Sequence, residues 1–334
     1  MATRLGPAPA PSVCHTPQRR EWERLAEVAD MYWVQGMKVE EVGRRLSLSR
    51  STVSRMLARA RSEGVIEFRI RRAETRTDLL RRALQERFPV AASVSDASED
   101  THAGRLRAVG EDAASWIDAL IQPSDVIAVS WGSTVDAMSL YLRSHPVEAA
   151  QVVQLHGWGS TPTQEPNYAS RILDRFGSAF RAKVQYFPVP VFFDSASTRR
   201  AVWSEKWVDE VVRLRDRADL LVASVGVSAA EAPGHVYGNG YLDARDRREL
   251  EDNHVIGNLG AVFFREGAAT DGISVNDRST GMPFEQIRQI RTRMLLAADP
   301  AKAVAVHTLL DAGLITHVAL DTATAQAVLG AASR

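Results

Sequence analysis

At 334 residues the chain is long enough for two domains. With 45% hydrophobic and 25% charged residues it has the composition of an ordinary protein that can bury a large core. One cysteine, Cys14, excludes a disulfide framework and suits a reducing, cytoplasmic setting, while no apolar run approaches the ~20 residues that span a bilayer.

Formal net charge is zero, but it is unevenly spread. Residues 1–72 hold 14 Lys+Arg and 8 Asp+Glu, a net of +6, and the rest of the chain carries −6. A basic head on an acidic body points to nucleic-acid contact through the head alone. Residues 1–20 contain four prolines, no periodicity and no apolar signal core, so a disordered, unsecreted tail is expected there.

From Glu21 the pattern becomes helical, with Leu25, Val28, Ala29 and Tyr32 recurring on one face until Gly36. A second short helix puts Val39, Val42 and Leu46 on one side. Ser49 then offers an N-cap, its hydroxyl able to accept a backbone N–H of the next turn. The third helix buries Val53, Met56, Leu57 and Ala60, and its other face shows Arg50, Ser51, Ser54, Arg55 and Arg59.

Two short helices joined by a tight turn, the second armed with arginines, read as a helix-turn-helix. The N-terminal part of such a second helix enters the major groove. Small hydroxyls allow close approach, and arginine can bind guanine O6 and N7 together. Ser49, Arg50, Ser51, Thr52, Ser54, Arg55 and Arg59 are the candidate DNA-contacting residues. Gly64 closes the helix, and the alternation of Ile66, Phe68 and Ile70 in Val65–Ile70 predicts a short wing strand ending at Arg71 and Arg72.

Thr75 to Phe88 reads as an amphipathic connector helix, with Leu79, Leu80, Ala83 and Leu84 on one face. Strands are expected at Val90–Val94, Val126–Ser130, Gln151–Leu155 and Leu220–Val225. Val262–Phe264 and His317–Leu320 are further short apolar runs, and Phe187–Phe193 is an extended run broken by prolines. A long helix is expected from Thr101 to Leu120 and another from Val135 to Leu142. Alternating strands and helices define an open α/β sheet, whose ligands bind beyond the carboxyl ends of the strands.

Three of these strands run into Gly/Ser loops, at Trp131-Gly132-Ser133-Thr134, at His156-Gly157-Trp158-Gly159-Ser160 and at Gly226, and the stretch Trp131 to Thr134 is the expected input end. One shared pocket is the economical reading. A glycine turn with hydroxyls at a helix start suits a phosphate or carboxylate, but equally a plain capped βα turn. Lys302, near the start of a helix at Pro300, is open to either an anion contact or a simple salt bridge.

These residues together resemble the SorC family of bacterial sugar-responsive transcriptional regulators. The resemblance rests on SRSTVSRMLARARSEGVIE in the head, then IAVSWGSTV, then GYLD, then KAVAVHTLLDAGLITHVALDTATA near the C-terminus. It covers nearly everything from Glu21 to Leu329. It implies an α/β protein: an N-terminal all-α winged helix-turn-helix over 21–72, a connector helix over 73–88, and a Rossmann-like effector-binding and oligomerisation domain over 89–334. That domain is similar to phosphosugar isomerases without their enzymatic role.

The implied partners are double-stranded operator DNA, a sugar, polyol or sugar phosphate, and further copies of the chain in a tetramer built as a dimer of dimers. The protein would regulate carbohydrate or polyol catabolism genes in the cytoplasm, with no membrane, cofactor or metal. The resemblance assigns the effector to Gly132, Ser133 and Thr134, to the loop from Gly157 to Asn167, to Gly226, to Asn258 and to Lys302. Two departures stand out. Asp299 lies close before Lys302 where many relatives have glycines, and Asn258 stands where many have an acid.

Two other readings remain at this level. One is a sugar-phosphate isomerase or deaminase with a DNA-binding head, for which Asp243, Asp246 and Asp271 are available as bases. The other is a purely architectural DNA binder, against which the glycine-ended strands of the body speak.

Overall fold

The computed structural model describes residues 16–66, 68, 74–159, 167–229, 234–238 and 240–331. The chain divides into two compact units, a head up to Ala73 and a body from Glu74 onward.

The regular elements among the head's described residues are all helices. Helix α1 spans Thr16–Ala29, starting before Glu21, and runs on as a π-helical turn over Asp30–Val34. The wider turn moves the helix face by a fraction of a residue. Met31 is thereby buried with Leu25, Val28 and Ala29, while Tyr32 is left half-buried. Helix α2 covers Val39–Leu46 and α3 covers Arg50–Ser62. Between them Ser47 adopts a left-handed conformation (φ 54°) and Leu48 N–H donates to Gly43 O at 2.8 Å. A Cβ on Gly43 would sit 2.8 Å from Leu48 O, so only glycine lets the turn close this tightly. Val42, Val53 and Leu57 pack with Val28 and Met31 to hold the helices together.

Most of the expected wing, including Ile70, Arg71 and Arg72, lies outside the described residues. Val65 and Ile66 form a bend, both N–H groups donating to Ala60 O. Phe68 packs edge-on against Trp33 at 5.2 Å.

The body is a sheet with helices on both faces. Its elements are α4 (Arg76–Arg87), β1 (Ala91–Ser95), α5 (His102–Leu120), β2 (Val126–Val129), α6 (Ser133–Ser139), β3 (Gln151–Gln154), α7 (Tyr168–Phe180), β4 (Lys183–Gln185), α8 (Ala196–Trp203), α9 (Lys206–Asp216) and β5 (Leu220–Gly226). There follow α10 (His235–Gly238), α11 (Ala244–Asp252), β6 (Gly257–Leu259), β7 (Val262–Phe264), α12 (Phe284–Ile287), β8 (Thr292–Ala297), α13 (Ala303–Asp311), β9 (His317–Asp321) and α14 (Thr322–Gly330). The strand order is β1-β9-β8-β5-β2-β3-β4, every pair parallel. β6 and β7 form an antiparallel hairpin beside the end of β5.

Side chains alternate between two cores, one on each face. In β5, Leu221, Ala223 and Val225 face one core while Leu220 and Val222 face the other, and β2 and β8 divide in the same way. Strands buried on both sides need no polar residues, which is why they read as continuous apolar runs. The helix expected as a connector belongs to the body: Leu84 is buried in its core, and Arg76 reaches Gln326 at 2.7 Å.

The run Phe187–Phe193 is extended but joins no strand of the sheet. Pro188 and Pro190 have no N–H to donate, and a single bridge links Phe192 to Ser279.

Candidate functional site

Strand order reverses between β2 and β5. The chain leaves β2 toward β3 and β4 on one side, and leaves β5 toward β8 and β9 on the other. At such a switch point the loops diverge and open a crevice at the carboxyl ends of the strands. A cleft of about 460 Å³, part of it open to solvent, lies there. It is lined by Ser130–Ser133 after β2, His156 after β3, Ser224–Gly226 at the end of β5, Gly234–Val236 around α10, Asn258 and Gly260 from the hairpin, and Lys302.

Five of the eight expected effector residues line it: Gly132, Ser133, Gly226, Asn258 and Lys302. Gly132 has φ 153°, ψ 163°, a conformation open to glycine that turns the chain sharply from β2 into α6. The other three expected residues lie off the lining. Thr134 is fully buried, its hydroxyl accepting from Ser224 at 3.3 Å, so it braces β5 against α6. Gly157 is tied down from both sides, its N–H donating to Thr280 Oγ1 at 2.9 Å and its carbonyl accepting from Trp131 Nε1 at 3.0 Å. Asn167 is the exposed residue preceding α7, and the loop from residue 160 to 166 lies outside the described residues.

Lys302 is 4% exposed and ends the short 3-10 turn Pro300–Lys302 that leads into α13. Burial lowers its pKa, and the Asp299 carboxylate partly offsets this. Asp299 is itself buried and caps that turn, Oδ1 accepting from Ala301 N–H at 2.9 Å. Ser130, 2% exposed, has no hydrogen-bond partner for its hydroxyl.

Trp131 and His156, which open two of the expected loops but are not among the eight expected effector residues, complete the walls. His156 is 3% exposed, and burial drops its pKa to about 4, so it is neutral under ordinary conditions. Its Nδ1 lies 3.1 Å from Gly157 O. A carbonyl only accepts, so the proton sits on Nδ1 and Nε2 is left as an acceptor. Trp131 packs against His156, Trp158, His235 and Tyr241 with ring centroids 4.8–6.2 Å apart.

On the head, Ser49 caps α3 as expected, its Oγ 3.1 Å from Thr52 N. Its hydroxyl also meets those of Thr52 and Ser51 at 2.7 and 2.9 Å. Ser51, Ser54 and Arg55 are exposed. Arg50 pairs with Glu40 at 3.2 Å. Arg59 is held in a fork between Glu21 (2.7 Å) and Glu63 (2.8 Å), which ties it to the head's own helices.

The carboxylates considered as bases do other work. Asp243 caps α11, accepting from Asp246 N–H at 2.8 Å, Asp246 pairs with Arg278 at 2.5 Å, and Asp271 is an exposed partner of Arg265 at 3.3 Å. None of the three lines the cleft.

Known proteins divide at the same boundary. Residues 73–330 match the family described as "Putative sugar-binding domain", and residues 18–68 match a homeodomain-like domain. The chain belongs to the family of SorC-type sugar-binding transcriptional regulators, with a helix-turn-helix head and a sugar-binding effector domain. It is a DNA-binding transcriptional regulator.

Its relatives include the deoxyribonucleoside regulator of Bacillus subtilis (strain 168), 25% identical over 93% of this chain and 98% of that protein. The sorbitol operon regulator of Klebsiella pneumoniae is 22% identical over 91% and 97%. Among solved structures, a domain of a possible sugar-binding transcriptional regulator from Arthrobacter aurescens TC1 is 36% identical with a TM-score of 0.71, covering 78% of this chain and 100% of that one. The full-length sorbitol operon regulator SorC from Klebsiella pneumoniae has a TM-score of 0.69 at 21% identity, covering 93% and 99%, a likeness of fold. No helix among the described residues is long and apolar enough to cross a membrane.

Proposed function

We propose that the cleft between β2 and β5 is the effector site, and that the exposed start of α3 reads the operator of carbohydrate or polyol catabolism genes. The observation that carries this is the convergence on one crevice of a buried lysine, an unpartnered buried hydroxyl and an asparagine, all at the strand-order switch. Lys302, Ser130, Ser133 and Asn258 hold a sugar, polyol or sugar phosphate. Ser51, Ser54 and Arg55 face the base edges, with Arg50 and Thr52 beside the phosphates. Ser49 acts through its cap, and Arg59 has first to leave its two carboxylates.

One head offers few contacts, so the working unit is a homo-oligomer, a tetramer built as a dimer of dimers, acting in the cytoplasm. The effector shifts the population between two arrangements of the heads. A coupling of ~1–3 kcal/mol changes operator affinity ~5–150-fold.

The test is fluorescence anisotropy with DNA from upstream of the protein's own gene and its neighbours, over a salt series and with a sugar and polyol panel. Sequence-preferring binding that weakens with salt, and that at least one compound alters, is expected. Binding indifferent to sequence, or to every compound in a panel that includes the phosphate esters, overturns the proposal.

A further inference from the structure

Cations around the cleft have carboxylates close by. Lys302 ends the turn that the buried Asp299 caps, Oδ1 accepting from Ala301 N–H at 2.9 Å, and the Asp299 charge acts on it. Arg175, beside the first turn of α6, binds Asp136 at 2.7 Å. Arg215, buried behind His156, lies 3.9 Å from Asp216. Among the described residues, these three cations each stand beside a carboxylate.

The walls add to this. Trp131 and its ring of aromatic neighbours make a low-dielectric lining, in which a dianion without matching cations pays heavily for its lost water. His156 has Nε2 as an acceptor, and Asn258, whose amide donates to Gly226 O at 3.4 Å and bonds the Tyr237 side chain, keeps a second N–H and a second lone pair. Both suit hydroxyl groups, which can donate to them. A phosphate at neutral pH is chiefly an acceptor and repels the lone pair on Nε2. Ser130 Oγ, buried without a partner, completes a set made for O–H groups.

Given the effector site proposed above, we infer that the effector is an uncharged polyhydroxylated compound, a free sugar or polyol, and that Asp299 and His156 select it against its own phosphate ester. Lys302 then serves as a hydrogen-bond donor to a hydroxyl and not as the counterion of a phosphate. Asp299 acts through Lys302 and is a specificity-determining residue that need not touch the ligand.

The test uses the full-length protein and matched pairs: 2-deoxyribose and its 5-phosphate, ribose and its 5-phosphate, glucose and its 6-phosphate, sorbitol and its 6-phosphate. Thermal shift finds the responding pair, and calorimetry measures both members. The parent compound is expected to bind at least ~10-fold more tightly than its ester. Asp299→Asn keeps the capping oxygen and removes the charge, and is expected to move that ratio ~10-fold toward the ester. An ester that binds more tightly than its parent overturns the inference and leaves the effector site standing. A ratio that Asp299→Asn does not move removes Asp299 from selection. If no member of any pair binds, the sugar-effector reading falls and this inference falls with it.

Discussion

The two sites of this protein are built in opposite ways. The α3 face is local and wet: consecutive residues on one helix present hydroxyls and arginines to solvent, and each can change without disturbing a core. The proposed effector cleft is non-local and walled largely by buried residues. It draws single residues from the ends of β2, β3, β5, β6 and the turn after β8, far apart in sequence and joined only by strand pairing. A reader of DNA must search and release, so weak exposed contacts suit it. A discriminating pocket must exclude water and fix its groups, so it is embedded in the most rigid part of the fold.

The sharpest break of this comparison is a cavity in the body. Phe176 of α7 is fully buried and packs against Phe180 at 6.2 Å. Phe176→Ala should cost about 3–5 kcal/mol, read as a lowered denaturant midpoint. The cleft should lose effector response while the helical signal of the head survives. A loss below about 1 kcal/mol would show that the cleft's frame is looser than its packing indicates.

Next in size is a pH effect confined to the body. His156 has a folded pKa of about 4 against an ordinary 6.5. Between these values the unfolded chain binds the proton and the folded one does not, so stability is full above about pH 6.5 and falls as the pH drops toward 4. The upper bound is about 3 kcal/mol. His235 and His317 are shifted the same way by burial and add to the same slope. Denaturant melts at pH 7.5 and 5 on wild type and His156→Gln test this, and the variant should show a shallower decline. Equal declines would mean that the His156 site opens to water well before the body unfolds.

The contrast also explains what could be read in advance. α3 and its cap were legible because the signal is local: Ser49, the apolar face of Val53 and Leu57, and the closing Gly64 lie within one stretch. Edge strand β4, hairpin strand β6 and internal strand β8 were not. β4 and β6 are three residues each, too short for a period to show. β8 reads Thr-Arg-Met-Leu-Leu-Ala, whose unbranched residues favour a helix until pairing with β5 and β9 overrides them. In the cleft, the loops opening at Trp131 and His156 were legible as strand ends and five of the expected positions line it, but no individual role for the Trp131 or His156 side chain could be assigned. Their role depends on which strands are neighbours, and a strand order cannot be seen in one sequence. Thr134 failed for the converse reason. It stands in a recognisable turn, yet its side chain faces Ser224 in place of the cavity.

On the head, the arginines should separate. Arg55 is exposed at the reading face, while Arg59 is engaged by Glu21 and Glu63. Arg55→Ala should weaken specific binding by about 1–3 kcal/mol and relax sequence preference if it meets a base. Should it meet a phosphate, the loss is uniform across sequences and the salt slope falls by about one. Arg59→Ala should alter specificity less. Operator preference unchanged in Arg55→Ala but lost in Arg59→Ala would invert the assignment and show that the fork opens on DNA.

The smallest effect concerns the cap. Ser49 accepts the Thr52 N–H and meets the Ser51 and Thr52 hydroxyls, so its work is to fix where α3 begins. Ser49→Ala should cost the head about 1 kcal/mol, and Ser49→Gly only a few tenths. Both should leave the effector response of the body intact. Because the first turn of α3 carries the exposed serines, fraying there should lower operator affinity more than the stability loss alone accounts for. Ser49→Asp separates the two roles. It keeps a capping oxygen but places a negative charge beside the phosphates, so stability should hold while DNA binding drops. If Ser49→Asp binds operator as wild type does, then the start of α3 does not approach the backbone, and the reading surface must be sought further along the helix.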